Sequence, residues 1–366
     1  MKTFVTGGTG FIGRRVVRKL IERGHQVQAL VRSQSGAAEM EAMGAQPVWG
    51  DITASESMHD AIRGSDAVFH LAAWYKIGAG DTRRAELINV QGTQNVLELA
   101  FNLKVPRILH TSTLAVYGDT HGAFPDESYV PPAGPFLTEY DRTKYLAHYQ
   151  VALPLLKRGA PITILMPGSV YGPGDPSLVG QMMTFFYRGL FPVLPGPELT
   201  LTYAHVDDVA EGHILALEKG RAGEVYHLTG PALTLKEAVD LWAEVSGQRR
   251  PFFSIPSRFV KPLSPLVSAL GNVLPLPEVV SPDTLAIIGA TYLARPDKAI
   301  AELGWTRRPV ELGFRETFET IDQAPPVPLF PPITFNRRKT AAVALGAAIG
   351  VLVAWMWLRQ RKKGKN

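Results

Sequence analysis

Tyr140 and Lys144 are the first pair in the sequence whose types and spacing could do chemistry. Four residues apart on a helix, their side chains lie on one face about a turn from each other. A phenol ionises near pH 10, and a neighbouring ammonium favours the phenolate and lowers that value. Such a pair can protonate a carbonyl oxygen or remove a proton from an alcohol. No other tyrosine in the chain has lysine four residues on, although the same spacing would also suit a half-exposed helix face.

A second constellation is Val5-Thr6-Gly7-Gly8-Thr9-Gly10-Phe11-Ile12-Gly13. Gly7 would allow a tight turn after a strand, Gly10 would let a pyrophosphate reach the backbone, and Gly13 would permit close helix packing. The helix N-terminus would then face the anion. Glycines alone would also suit an ordinary turn, so the elements around them matter.

Those elements alternate. Strand-like runs at Thr3 to Thr6, Gln26 to Val31, Gln46 to Trp49, Ala67 to Leu71, Arg107 to Thr111 and Ile162 to Met166 are separated by helix-like stretches, including Phe11 to Arg23, Ala85 to Leu103 and Glu139 to Lys157. This predicts an α/β fold, a Rossmann-type doubly wound parallel sheet, with Pro154 kinking or ending the last helix. We expect a dinucleotide-binding domain over residues 1–170 with a return segment over 200–230. A smaller substrate lobe should occupy 171–199 and 231–323, followed by a proline-rich basic linker over 324–339.

With strand, glycine loop and helix in this order, the chain resembles the extended short-chain dehydrogenase/reductase superfamily from Lys2 to about Ile321. The resemblance is carried by the glycine loop, Gly50-Asp51-Ile52, His70-Leu71-Ala72-Ala73, Asn89-Val90-Gln91-Gly92-Thr93 and Thr113-Leu114-Ala115-Val116-Tyr117-Gly118. Further on it is carried by Tyr140-Asp141-Arg142-Thr143-Lys144, Val170-Tyr171-Gly172-Pro173-Gly174-Asp175 and His205-Val206-Asp207-Asp208-Val209-Ala210. Within the superfamily, the stretch from His205 to Glu224 and Glu302-Leu303-Gly304-Trp305 look most like the dihydroflavonol-reductase-like group. That group includes hopanoid-associated sugar epimerases.

The resemblance implies a nicotinamide cofactor held by Gly7, Thr9, Gly10, Phe11, Ile12 and Gly13, with Leu71, Ala72 and Ala73 beside it. Asp51 and Ile52 would bracket the adenine, though Asp51 could equally cap a helix starting near Ala54. The second strand ends Leu30-Val31-Arg32-Ser33, with no acid before Glu39. An acid there would hold a ribose hydroxyl, whereas a cation accommodates a 2′-phosphate, so Arg32, with Arg14 as a second contact, points to NADP with NAD as the alternative. The resemblance also assigns the nicotinamide ribose to Lys144, substrate-oxygen binding to Thr113, and support of a water relay to Asn89. Thr111 and Ser112 compete with Thr113, because a slip of one residue would exchange them.

Two departures from the family's sugar-nucleotide enzymes shape the expected chemistry. Leu114 and Ala115 stand where dehydratases carry an acid pair, and Met166 stands where many sugar-nucleotide enzymes have arginine. We therefore expect carbonyl and secondary-alcohol interconversion on a lipophilic small molecule. A sugar epimerase that retains its cofactor is the same-fold rival, and a non-catalytic dinucleotide sensor is a rival of another class. Trp74, Tyr75, Ile77, Phe186 and His205 are candidate substrate contacts. The apolar run Met182 to Phe191 would also serve as core or as a homodimer face, His205 would also serve as a packing corner, and His70 is expected to pack at a strand end. No His, Asp and Glu spacing suggests a metal site.

The formal charge is +5, yet eight basic residues and no acid lie in the last thirty residues, leaving −3 for residues 1–336. The basic character therefore belongs to a tail, and a nucleic-acid-binding face is excluded. Zero cysteines exclude disulfides and a thiol nucleophile. Glycine follows the first six residues, so no secretion signal is expected and the catalytic body is expected in the cytoplasm. Ala341 to Leu358 is eighteen residues without a charge, about 27 Å as a helix against a hydrocarbon core of about 30 Å. We expect a single-pass membrane helix over 340–358 with a basic tail over 359–366.

Overall fold

A computed structural model describes residues 1–75, 81–271 and 281–323. Six strands follow the expected order: β1 (Lys2–Thr6), β2 (Gln26–Val31), β3 (Gln46–Trp49), β4 (Ala67–His70), β5 (Ile108–Thr111) and β6 (Ile162–Pro167). Then come β7 (Ser169–Tyr171), β8 (Val193–Pro195), β9 (Thr200–His205), β10 (Val225–Leu228), β11 (Ala232–Thr234), β12 (Phe253–Ile255) and β13 (Thr291–Tyr292). The main sheet runs β3-β2-β1-β4-β5-β6-β10, and every pairing in it is parallel. Successive residues of β1 point to opposite faces, so Val5 joins one apolar core with Val16, Leu20 and Ile214, while Phe4 joins the other with Val96, Leu97 and Leu155. Burial on both faces explains why the central strands read as unbroken apolar runs.

The order reverses direction between β1 and β4, which opens a crevice at their C-terminal ends. The glycine loop and the segment after β4 both lie there.

Two long helices carry widened i→i+5 turns. The run from Thr82 to Asn102 contains one at Leu87–Gly92, and the run from Glu139 to Lys157 contains one at Leu146–Ala152. Pro154 therefore does not end its helix, which reaches Lys157. The widened turn immediately before it shifts the hydrogen-bond register where proline lacks an N–H.

The smaller lobe has a sheet in which β9 pairs with β7, β11 and β13, together with a β8/β12 pair. Three helices, Leu178–Tyr187, Leu235–Ser246 and Val310–Gln323, pack around Trp242, Phe314 and Phe318. The return to the main sheet is shorter than expected: β9 belongs to the lobe, and helix Val206–Lys219 with β10 makes the return. Conversely Ala299, Leu303 and Trp305 join the core of the main domain. Met182, Met183 and Phe186 are core residues of the lobe, which takes them out of both the pocket and any dimer face.

Among the described residues no helix is long and apolar enough to cross a membrane. The linker, the uncharged run Ala341 to Leu358, the basic tail and Ile77 lie outside the described residues.

Candidate active site

Gly7 has φ +74°, and a Cβ there would stand 2.6 Å from the Ala72 backbone nitrogen. The loop thus lies directly against the segment that follows β4, tied to it by the Leu71 N–H donating to the Thr6 carbonyl at 3.1 Å. A Cβ on Gly13 would overlap the Gly7 carbonyl oxygen, so helix Gly13–Glu22 starts in contact with the loop. Gly10 is exposed at that junction, while Thr9, Phe11 and Ile12 are half-buried. A narrow backbone cradle at a helix N-terminus, between the ends of β1 and β4, fits a dinucleotide pyrophosphate.

Arg32 leaves the end of β2 with its side chain 63% exposed and reaches Asp51 Oδ2 at 3.4 Å. Asp51 does not cap a helix: its Oδ1 accepts from the N–H and the hydroxyl of Thr53, and Ala54 precedes the next turn. Ile52 is buried against Gly92, with its carbonyl held by Asn95 Nδ2 at 2.8 Å. Arg14 donates to the Thr9 carbonyl at 3.0 Å, which puts its guanidinium beside the loop.

Tyr140 and Lys144 share helix Glu139–Tyr145, which Thr138 caps by accepting from the Asp141 N–H at 3.1 Å. The Tyr140 side chain hydrogen-bonds that of Thr113. The three competing hydroxyls have different partners. Thr111 Oγ1 bonds His213 Nε2 at 2.9 Å and Ser112 Oγ bonds His148 Nδ1 at 2.8 Å, so both are engaged beneath the site. Thr113 also accepts from the Ala115 N–H at 3.2 Å, which fixes its backbone at the start of the turn Leu114–Tyr117.

Burial pushes the Tyr140 phenol above its ordinary value, and the bond to Thr113 offsets this only in part. The expectation that Lys144 lowers the phenol is therefore corrected: desolvation of the phenolate comes first and the Asp141 charge adds to it, with the Thr113 side chain as the opposing influence. The Lys144 ammonium is buried, donates to the Thr111 carbonyl at 3.1 Å, and is brought down to about 8 by that burial.

Beneath Lys144 lies a layer that sequence reasoning missed apart from His70 at its strand end. His70 and His110 stack at 5.3 Å, and His70 also bonds Thr6 and Thr93. Burial first, and the Lys144 charge second, hold His70, His110 and His148 well below the usual histidine range. They are neutral near pH 7, so no second cation competes with Lys144. His70 and His110 become direct register partners only when β4 and β5 pair; nothing local announces the stack.

Asn89 is a clamp. Its Oδ1 accepts from the Trp74 N–H at 2.6 Å, and its Nδ2 donates to the Trp74 carbonyl and to Thr143 Oγ1, both at 3.0 Å. It positions the segment after β4 against the helix of Tyr140 and does not bond Lys144. Ala73 is exposed on that segment, and the Tyr75 ring meets the Tyr140 ring edge-on at 4.9 Å. Trp74 lies under the Arg84 guanidinium at 4.6 Å. Of the candidate substrate contacts among the described residues, Trp74 and Tyr75 are thus brought to the site. Phe186 is not, because it packs against Trp242 and Phe318. His205 is not either: its Nδ1 accepts from the Asp207 N–H, its ring meets Tyr171, and burial lowers it to about 4. It is a packing corner. A pair missed from sequence is Asp141, raised to about 6 by burial, accepting from the Tyr292 hydroxyl at 3.2 Å. It ties β13 of the lobe to the helix of Tyr140.

A model of the NAD dependent epimerase/dehydratase family matches residues 3–229. The 4-hydroxy-2-methyl-3-oxo-4-farnesyl-3,4-dihydroquinoline-1-oxide ketoreductase of Stigmatella aurantiaca is 33% identical over 313 residues, 84% of this chain and 92% of its own length. Sterol demethylase protein B of Methylococcus capsulatus is 34% identical over 274 residues, 74% of this chain and 82% of its own. The crystal structure of gox2253 is similar with a TM-score of 0.77 and 31% identity, covering 88% of this chain and 98% of that one. Glycine cradle, parallel sheet and these matches agree: the chain belongs to the NAD dependent epimerase/dehydratase family and is an NAD(P)-dependent enzyme of the extended short-chain dehydrogenase/reductase type.

Proposed function

We propose that the protein interconverts a carbonyl and a secondary alcohol on a lipophilic small molecule, with NADP as its preferred cofactor. The observation that carries this reading is the Tyr140 hydroxyl bonded to Thr113, one helical turn from a buried lysine. When bound, the nicotinamide supplies or accepts the hydride. Tyr140 delivers the proton to the substrate oxygen, and its raised pKa keeps it protonated for that task through neutral pH. Thr113 holds the same oxygen beside the phenol. Lys144 holds the nicotinamide ribose and keeps a positive charge near the phenol as that proton leaves.

Gly7, Thr9, Gly10, Phe11, Ile12 and Gly13 would hold the pyrophosphate, and Leu71, Ala72 and Ala73 would flank it. Asp51 and Ile52 would bracket the adenine. NADP is favoured by the exposed Arg32 guanidinium at the end of β2, with Arg14 close to the loop. Asp51 is its only acidic partner among the described residues, at a loose 3.4 Å that a phosphate could displace.

Lipophilicity is supported by Leu114 and Ala115 next to Thr113, by Trp74 and Tyr75 on the substrate side, and by Met166, fully buried in β6 where an arginine would serve a diphosphate. The two relatives named above for a farnesylated ketone and for a sterol agree with this class. A sugar epimerase with retained cofactor is the second reading, in keeping with a family described as NAD dependent epimerase/dehydratase.

One experiment separates them. Purified protein with a panel of lipophilic ketones should consume NADPH in proportion to alcohol formed, and should bind NADPH more tightly than NADH. Substrate conversion with no net change in nicotinamide would replace the first reading by the epimerase.

A further inference from the structure

The lobe carries an apolar surface that nothing above uses. Phe252 is 84% exposed, Phe253 58%, Phe259 59%, Leu263 51% and Leu266 60%. Five such residues within fifteen positions form a patch rather than scattered exposure. Its inner side is a normal core contact: Val260 is buried with Leu285 and Ile288. Phe259, Leu263 and Leu266 follow one another at helical spacing on the outer side, across Ser257–Val260, Lys261–Leu263 and Ser264–Gly271.

Charge identifies what this surface meets. No acid occurs between Glu244 and Glu278, whereas Arg249, Arg250, Arg258 and Lys261 fall inside that interval. All four are exposed. Arg250 pairs with Asp240 at 3.2 Å, and the Arg258 guanidinium lies 4.9 Å from the centre of the Phe259 ring. Two further acids stand on neighbouring elements: Glu198, which accepts from the Ser257 N–H at 3.2 Å, and Asp283 in the first turn of helix Pro282–Ile287. The exposed segment itself, with four cations and no acid over 245–277, thus stands out on a body whose first 336 residues carry a net −3.

We propose that this face docks on anionic lipid headgroups, with the phenylalanines and leucines entering the headgroup boundary. Exposed aromatics and leucines ringed by arginine and lysine are the composition that binds an anionic bilayer surface. A second copy of the chain fits worse, because a two-fold contact through this face would oppose its cations to themselves.

One feature of the fold suits the orientation. The patch packs through Leu285 on helix Pro282–Ile287, and β13 beyond it bonds Asp141 beside Tyr140. Docking here would bring the substrate lobe to the bilayer. The inference stands whether the reaction is a reduction or an epimerisation.

The absence of cysteine makes the test direct. The full chain with Leu263→Cys, Leu266→Cys or, as control, Asp60→Cys would carry a bimane label and be reconstituted with vesicles containing nitroxide-labelled acyl chains. Phosphatidylglycerol-rich vesicles should quench the label at 263 and 266 and spare it at 60. Phosphatidylcholine should quench it much less. Arg258→Glu with Lys261→Glu should weaken the contact by about tenfold or more, while turnover on detergent-solubilised substrate stays unchanged. Absence of quenching at 263 and 266 would overturn the proposal, as would quenching indifferent to lipid charge. Label-to-label energy transfer between copies without lipid would overturn it in favour of a dimer face. A label shielded from aqueous iodide without lipid would overturn it in favour of cover by the chain itself.

Discussion

Tyr140 is placed by packing to stay protonated, and that is the state a carbonyl reduction consumes. Tyr140→Phe should leave cofactor binding intact and lower turnover by roughly 10²-fold or more, since it removes the proton donor and little else. Retention of near-normal turnover, with NADPH affinity measured alongside, would remove Tyr140 from the mechanism. Lys144 makes a different prediction. Its pKa falls from 10.5 in the unfolded chain to about 8 in the folded one. Between those values the unfolded chain binds more protons, so this group makes stability rise with pH there, and below about pH 8 its full cost is present. The shift corresponds to about 3 kcal/mol. Lys144→Met should flatten that rise in urea midpoints measured from pH 7 to pH 9.5. An unchanged slope would mean the ammonium is well solvated. Tyr140, raised rather than lowered, opposes this trend only above about pH 10.

At the scale of elements, the site is a meeting of three segments. Helix Gly13–Glu22 abuts the loop after β1, the segment after β4 is clamped by Asn89, and helix Glu139–Tyr145 presents its one-turn pair to Thr113. The first junction depends on hydrogen in place of a side chain. Gly13→Ala would drive its methyl into the Gly7 carbonyl, forcing helix and loop apart. We expect a loss of about 1–3 kcal/mol in stability and a larger loss in cofactor affinity, because the displaced atoms belong to the proposed pyrophosphate cradle. Thermal unfolding with and without NADPH separates the two effects. A variant whose stabilisation by NADPH matched that of the parent would show that the cradle tolerates the shift.

For the whole molecule, the parallel sheet sets the crevice between β1 and β4, and the lobe is joined to the helix of Tyr140 by Tyr292 and Asp141. The C-terminal sequence adds a prediction of its own. Eighteen uncharged residues between Arg337-Arg338-Lys339 and Arg359 to Lys365, with Trp355 and Trp357 near one end, have the composition of a spanning helix. We propose that they anchor the protein, so that the full chain resists carbonate extraction from membranes. A chain ending at Gln323 should be released by carbonate and remain active on solubilised substrate. Release of the full chain by the same wash would refute the anchor.

The sequence by itself determined the local features. Gly7 to Gly13 between a strand and a helix, Tyr140 and Lys144 at one-turn spacing, and the unbroken apolar strands each depend on residues near in the chain, where sterics and periodicity act directly. That is why six strands were legible to within a residue or two. Tertiary structure alone decided the rest. Thr113 faces Tyr140 because Thr111 and Ser112 are engaged by His213 and His148, which lie far along the chain. The apolar type of Phe186 was compatible with pocket and core alike, and packing against Trp242 and Phe318 made it core. The direction of the Tyr140 shift needed the buried volume around it, since desolvation depends on everything within reach and not on the spacing of one lysine.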